Sequence, residues 1–336
     1  MMTLRMIRLA GLTAFALASF VPPARAQYFG RNKVQYEKFD WRIRKSDHFD
    51  LFFYPAESLK VADAGREAER WYARFSDIFR HQFDRKSLVF YADHPDFQQT
   101  NVIGDQLQEG TGGVTEGQRT RVVMPWTGIY KDDEHVLGHE LVHVFQYNIA
   151  ETAPGQGGLA RLGALPLWLI EGMAEYFSLG RNDALTAMWM RDAVMRDKFP
   201  TIKQLTTDPR FFPYRYGQAL WAYIGGRWGD RAVVDVYRTA LRVGWDQALI
   251  RALGLTSDSL SKDWAAANKA FYAGQIAARS HPDSIGRAVV KLKDHSEYNV
   301  GPALSADGKS VAFFTTRTNL FGIDLVLADA ATGKIV

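Results

Sequence analysis

No cysteine occurs among the 336 residues of this chain. Disulfide bridges, thiolate metal ligands and a cysteine nucleophile are therefore excluded, and any metal site has to be built from His, Asp and Glu. Long apolar runs are scarce as well. The stretch from Leu9 to Val21 stays apolar or small for 13 residues, too short for the roughly 20 that cross a bilayer as a helix. Arg5 and Arg8 precede it and Ala24-Arg25-Ala26 follows it, the basic, apolar and small-x-small succession of a secretory signal peptide. Residues 1–26 are expected to be that signal. The mature chain then begins at Gln27, periplasmic or secreted, with no membrane span after cleavage. An excess of charge is missing too. The formal net charge is +4, and Arg5, Arg8 and Arg25 account for most of it, so the mature chain is nearly neutral. No basic run with interleaved aromatics remains, and nucleic acid is set aside as a partner.

What is present has the balance of a folded globular protein, with 47% apolar and 23% charged residues. The length allows two domains. Alternation of Phe49, Leu51 and Phe53 predicts a half-buried strand over 48–54. Val61, Ala64, Ala68, Trp71, Phe75 and Ile78 recur at helical spacing. Segments 87–92 and 119–124 read as further strands, and between them lies the turn-rich Gly110–Gly117, leading into a strand. From Asp132 to about Ala278 the pattern is helical, with Asp132 and Asp133 as caps of a helix to about Ile149. A Gly-rich loop over 154–163 separates it from a helix between Pro166 and Gly180. Further helices are predicted around 183–197, 214–228, 230–242, 246–253 and 258–278. The fold class is α+β: a small N-terminal sheet, then a helical subdomain.

Within the first of these long helices stands His139-Glu140-Leu141-Val142-His143. Residues i and i+4 share a helix face, so two imidazoles can converge on one ion, with the glutamate placed to take a proton from a water beside it. Flanking Val136, Leu137, Leu141, Val144 and Phe145 imply a buried helix, which disfavours two unrelated surface histidines. His135 extends the same face but lies about 12 Å along the axis from His143, too far to share its ion. It is read as a neighbour of the ligands or a surface residue. In Trp168-Leu169-Ile170-Glu171-Gly172-Met173-Ala174-Glu175 two carboxylates one turn apart sit on an otherwise apolar helix, a costly arrangement unless a cation neutralises them.

H-E-x-x-H followed by W-L-x-E-G-x-A-E resembles the gluzincin metallopeptidases, which include thermolysin and the aminopeptidase N family. The resemblance covers residues 45–280 in general layout and is specific at the motifs. It implies that Glu171 is the third zinc ligand after His139 and His143, that Glu140 is the general base, and that Glu175 orients a ligand imidazole. The 27 residues between His143 and Glu171 are more than in aminopeptidase N relatives, and the Gly-rich loop accounts for the excess. Pro213-Tyr214-Arg215-Tyr216-Gly217 is similar to the P-Y-x-x-G element of those enzymes, whose tyrosine stabilises an oxyanion. Tyr214 matches it, with Tyr216 as the alternative. Gly112-Gly113-Val114-Thr115-Glu116 faintly resembles the amine-binding G-x-M-E-N strand, but its glutamate comes one residue late and falls on the other face of a strand.

The last 45 or so residues change character. Ser305-Ala306-Asp307-Gly308-Lys309 and Asp329-Ala330-Ala331-Thr332-Gly333-Lys334, with strands at 311–314 and 323–328, resemble one blade of a TolB-like β-propeller. A blade cannot bury its own faces, so either the hairpin packs on the peptidase domain or, the favoured expectation, the chain is a truncated form of a longer protein. The resulting expectation is a signal peptide at 1–26, a gluzincin-like domain at 27–285 and a first propeller blade at 290–336. Its activity is that of an exported zinc metallopeptidase with one Zn2+ held by His139, His143 and Glu171. Glu140 and Tyr214 are the catalytic residues, a peptide or protein is the substrate, and a protein partner is possible through the propeller. The alternative is a non-catalytic exported scaffold whose metal merely braces the helices.

Overall fold

The computed structural model describes residues 36–104, 107–108, 110–153, 158–291, 298–317 and 323–336. The expected signal peptide and residues 154–157 of the expected Gly-rich loop lie outside them. The protein is α+β, opening with a five-stranded sheet of β1 (Arg42–Lys45), β2 (Phe49–Phe53), β3 (Lys86–Tyr91), β4 (Val114–Glu116) and β5 (Arg121–Pro125). The spatial order is β1-β2-β3-β5-β4. Strands β2, β3 and β5 run parallel, while β1 and β4 close the two edges antiparallel. Register places Leu51 beside Leu88 and Leu88 beside Val122. One face thus carries Phe49, Leu51, Leu88, Phe90, Val122 and Met124, all in the main core. The other face carries Tyr91 and Val123, which pack with Tyr54 and Phe97 in a smaller cluster.

Helix α1 (Val61–Phe79) crosses between β2 and β3, and the short α2 (His94–Gln98) follows β3. The buried stripe of α1 runs through Val61, Ala64, Ala68, Tyr72, Phe75 and Phe79. Trp71 and Ile78 fall at its margin, because the 3.6-residue period drifts along 19 residues.

The helical part comprises α3 (Tyr130–Thr152), α4 (Gly158–Gly163), α5 (Leu167–Leu179), α6 (Ala184–Met195), α7 (Ile202–Thr207), α8 (Pro213–Trp228), α9 (Asp230–Val243), α10 (Trp245–Leu253) and α11 (Ser257–Ala277). Two sequence expectations are corrected. Gly158–Gly163 of the Gly-rich loop is a short helix. Asp132 and Asp133 are not caps of α3, whose cap residue is Ile129. They lie in its first turn, where Asp133 accepts hydrogen bonds from the Thr127 main-chain nitrogen and hydroxyl, so acidic charge still meets the positive helix end. Leu137, Leu141, Val142, Val144, Phe145 and Ile149 bury α3 against the sheet and the other helices. Among the described residues no helix is long and apolar enough to cross a membrane.

Beyond the short helical turn Pro282–Ile285, β6 (Asn299–Leu304), β7 (Ser310–Thr315) and β8 (Asp324–Asp329) form a separate antiparallel meander. Three strands are described there and no closed propeller. The two turns expected from sequence are in place: Asp307 binds the Lys309 main-chain nitrogen and the Ser305 hydroxyl, and Asp329 binds the Thr332 nitrogen and hydroxyl.

Candidate metal centre

The centre is assembled by a close crossing of two helices onto a third. A β-carbon built on Gly172 of α5 would lie 2.4 Å from the Gly217 Cα of α8, so the two backbones touch where both residues lack a side chain. Glu171 precedes one of these glycines and Tyr214 lies one turn before the other. The crossing thus brings the phenol over the carboxylate, and α3 packs alongside α5.

His139 Nε2, His143 Nε2 and Glu171 Oε2 form a triangle with all three edges at 3.2 Å. Donor atoms about 2.0–2.1 Å from a tetrahedral zinc stand about 3.3 Å apart, so the triangle has the size of one face of that tetrahedron. The tautomers agree. Gln146 Nε2 donates to the Ile170 main-chain oxygen at 3.0 Å, which turns Gln146 Oε1 toward His143 Nδ1 at 2.7 Å. That ring nitrogen must therefore be the donor, leaving Nε2 with a bare lone pair. His139 Nδ1 lies 2.9 Å from Glu175 Oε1, outside hydrogen-bond alignment. Donor atoms converging in a buried place repel unless a proton or a metal cation sits among them, and this set is one that could hold a metal ion.

The electrostatics point the same way. Burial would push His139 down, but Glu171, Glu175 and Glu140 more than offset it and bring it up to about 10. Burial opposes charge on Glu171 as well, yet His143 and His139 hold it well below the usual carboxylate range. Glu175 is likewise held low against burial, by His135 and His139. Its other oxygen accepts from Arg215 Nη1 at 2.9 Å. Without a metal the imidazoles keep their protons beside ionised carboxylates, so the carboxylates make this a place that favours positive charge.

An open cleft of about 770 Å³ leads to these groups, lined among others by Gly113, Thr115, Glu140, Tyr147, Tyr214 and Arg215. Tyr214 stacks on His139 with ring centroids 6.0 Å apart, and burial followed by the Glu171 charge and hydrogen bond raises its hydroxyl above the ordinary tyrosine range. Tyr147 stacks on His143 at 6.0 Å and is raised to about 12, by burial and then by Glu140 and Glu171. Both phenols stay protonated and can donate. Tyr216 instead packs against Trp189 and Phe211 in the core, away from the cleft. His135 Nε2 lies 3.3 Å from Glu175 Oε1, in contact with the group beside the ligands rather than with the triangle.

Sequence reasoning missed Gln146, Arg215, Tyr147 and Thr115. Gln146 and Tyr147 sit three and four residues after His143, a spacing that marks the same helix face. Arg215 adjoins Tyr214. Thr115 left no signal of its own beyond strand alternation. Glu116 turns away as its register predicts, binding Arg121 Nε and the Gln118 and Arg119 main-chain nitrogens. No family model matches the chain, and no curated protein matches it.

Proposed function

We propose that this protein is an exported zinc metallopeptidase of the gluzincin kind, with His139, His143 and Glu171 as the metal ligands. The observation that carries the reading is the 3.2 Å triangle of donor atoms with Glu140 and two protonated phenols in the same cleft. Zinc bound there would act as a Lewis acid, polarising a peptide carbonyl and acidifying water.

The chain's own residues then do the following. Glu140 accepts a proton from the attacking water and passes it to the leaving amine. Tyr214 donates a hydrogen bond to the carbonyl oxygen as that atom gains charge. Gln146 holds His143 in the tautomer that presents Nε2, and the Glu175 carboxylate stands as a charge beside His139 Nδ1. His135 and Arg215 brace Glu175 in turn. The meander at the C-terminal end is, on this proposal, a propeller blade.

A scaffold without catalysis is the second reading. It draws on the exposed apolar residues Val300, Phe314, Leu325 and Leu327 of the meander, a surface suited to a partner. The test that separates the two is Glu140→Gln. A peptidase keeps its zinc and loses about 10²–10⁴-fold in turnover on a peptide library. A zinc-loaded wild-type protein that cleaves no peptide favours the scaffold.

A further inference from the structure

One carboxylate is gripped from the sheet side. Thr115 Oγ1 lies 2.7 Å from Glu140 Oε2 and 3.1 Å from the Glu140 main-chain oxygen. A carboxylate only accepts, so the hydroxyl donates. Two residues earlier, a β-carbon built on Gly113 would stand 3.1 Å from Glu140 Cγ, 3.2 Å from Glu140 Oε1 and 2.9 Å from Val136 Cγ1. The same edge of the sheet therefore holds one carboxylate oxygen and leaves room at the other. Register fixes which residue does this. Thr115 is opposite Val122 and Glu116 is opposite Arg121, so the threonine faces α3 while the glutamate turns to the loop.

We propose that β4 with its preceding glycine is the element that aims the general base: Thr115 is a positioning residue, and Gly113 leaves the space in which Glu140 is held. This rests on the peptidase reading above. Glutamate has three side-chain torsions, and an untethered one spreads over several rotamers. Proton transfer needs the base within about 2.6–3.2 Å of the proton's donor, and a displacement of about 1 Å can cost up to about 100-fold in rate. The Thr115 hydroxyl restricts that freedom by occupying Oε2, so Oε1 is left to work. The G-x-M-E-N strand that this segment faintly resembles binds an amine through a glutamate. The structure puts a hydroxyl at the inward position instead, and its partner is the enzyme's own carboxylate.

The experiment compares Thr115→Val, Thr115→Ser and Gly113→Ala with the wild type in the zinc-loaded full chain. Valine keeps the branched shape and deletes the hydroxyl. In Thr115→Val, kcat is expected to fall about 10- to 100-fold with KM within about twofold. Zinc content should be unchanged, and serine should restore kcat to within about threefold. Gly113→Ala should lower kcat in the same sense. Crystal structures of wild type and Thr115→Val without zinc supply a readout independent of turnover: the Glu140 carboxylate is expected to leave its place beside β4. Wild-type kcat in Thr115→Val, or an unmoved Glu140, would overturn the proposal. A zinc-loaded wild type that cleaves nothing would instead sink the peptidase reading, and the crystal comparison would still decide whether Thr115 holds Glu140.

Discussion

Glu171 and Glu175 on α5 and Glu57 beside the first sheet are all withdrawn from water, yet they hold protons in opposite ways. The α5 pair faces imidazoles, and both carboxyls are held well below their ordinary range despite burial. Glu57 is 3% exposed and accepts the Tyr54 main-chain nitrogen at 3.0 Å on one oxygen, while the other has no partner. Burial pushes it up to about 8, and Asp96 adds to the rise. Burial alone therefore does not decide the charge of a carboxylate. What decides it is whether cationic partners were built around it, and around α5 they were.

The strongest way to break this contrast is to take away the proposed third ligand. Glu171→Ala should abolish zinc retention after dialysis, measured by elemental analysis, because two imidazoles alone leave the site without its third donor. Glu175→Gln should be milder and weaken zinc by about 10- to 100-fold in a chelator competition. Acidification tests the same cluster without mutation. A proton on either imidazole competes with the metal, and against burial the surrounding carboxylates raise both His139 and His143, so zinc affinity should fall as pH falls.

Gly217→Ala tests the crossing that brings the partners together. A methyl there would meet the Trp168 main-chain oxygen at 2.6 Å and the Gly172 Cα at 2.7 Å. Overpacking of this kind costs about 1–3 kcal/mol in denaturant unfolding, and zinc affinity should fall with it.

The smallest effect sharpens the contrast by reversing its sign. The folded protein keeps Glu57 protonated up to about pH 8, whereas the unfolded chain releases that proton near the ordinary glutamate value of 4.5. Glu57 thus favours the folded state fully below its unfolded value, and the contribution is lost as pH rises from there toward the folded value. Glu57→Gln should flatten that decline and stabilise the protein near pH 8 by on the order of 1 kcal/mol. Thermal unfolding at several pH values checks it. The substitution that weakens the metal centre at Glu175 should thus be favourable at Glu57.

The long helices were legible because their signal is local. Apolar residues at 3.6-residue spacing bury a face whatever lies opposite, and the expected helices around 214–228 and 230–242 match α8 and α9 to within a residue or two. The β1 and β6 strands were not anticipated. Arg42–Lys45 is exposed throughout and Asn299–Leu304 nearly so, so neither carries the alternation that betrays a half-buried strand; each exists because a neighbour offers backbone hydrogen bonds. Short α7 was missed for a similar reason, since six residues span less than two turns.

The candidate site divides along the same line. His139, Glu140 and His143 lie within five consecutive residues, so helix geometry alone sets their mutual placement, and the sequence by itself determined that two imidazoles share a helix face with a glutamate beside it. Glu171 and Glu175 likewise declared themselves as a pair one turn apart. Only the tertiary structure decided that Glu171 closes the triangle with the histidines, that Tyr214 and not Tyr216 enters the cleft, that Arg215 and His135 meet on Glu175, and that Thr115 grips Glu140. Each of these depends on the packing of α3 along α5, on the helix crossing at Gly172 and Gly217, or on the register of β4 against β5, and such contacts join residues far apart in the chain through packing that no local spacing encodes.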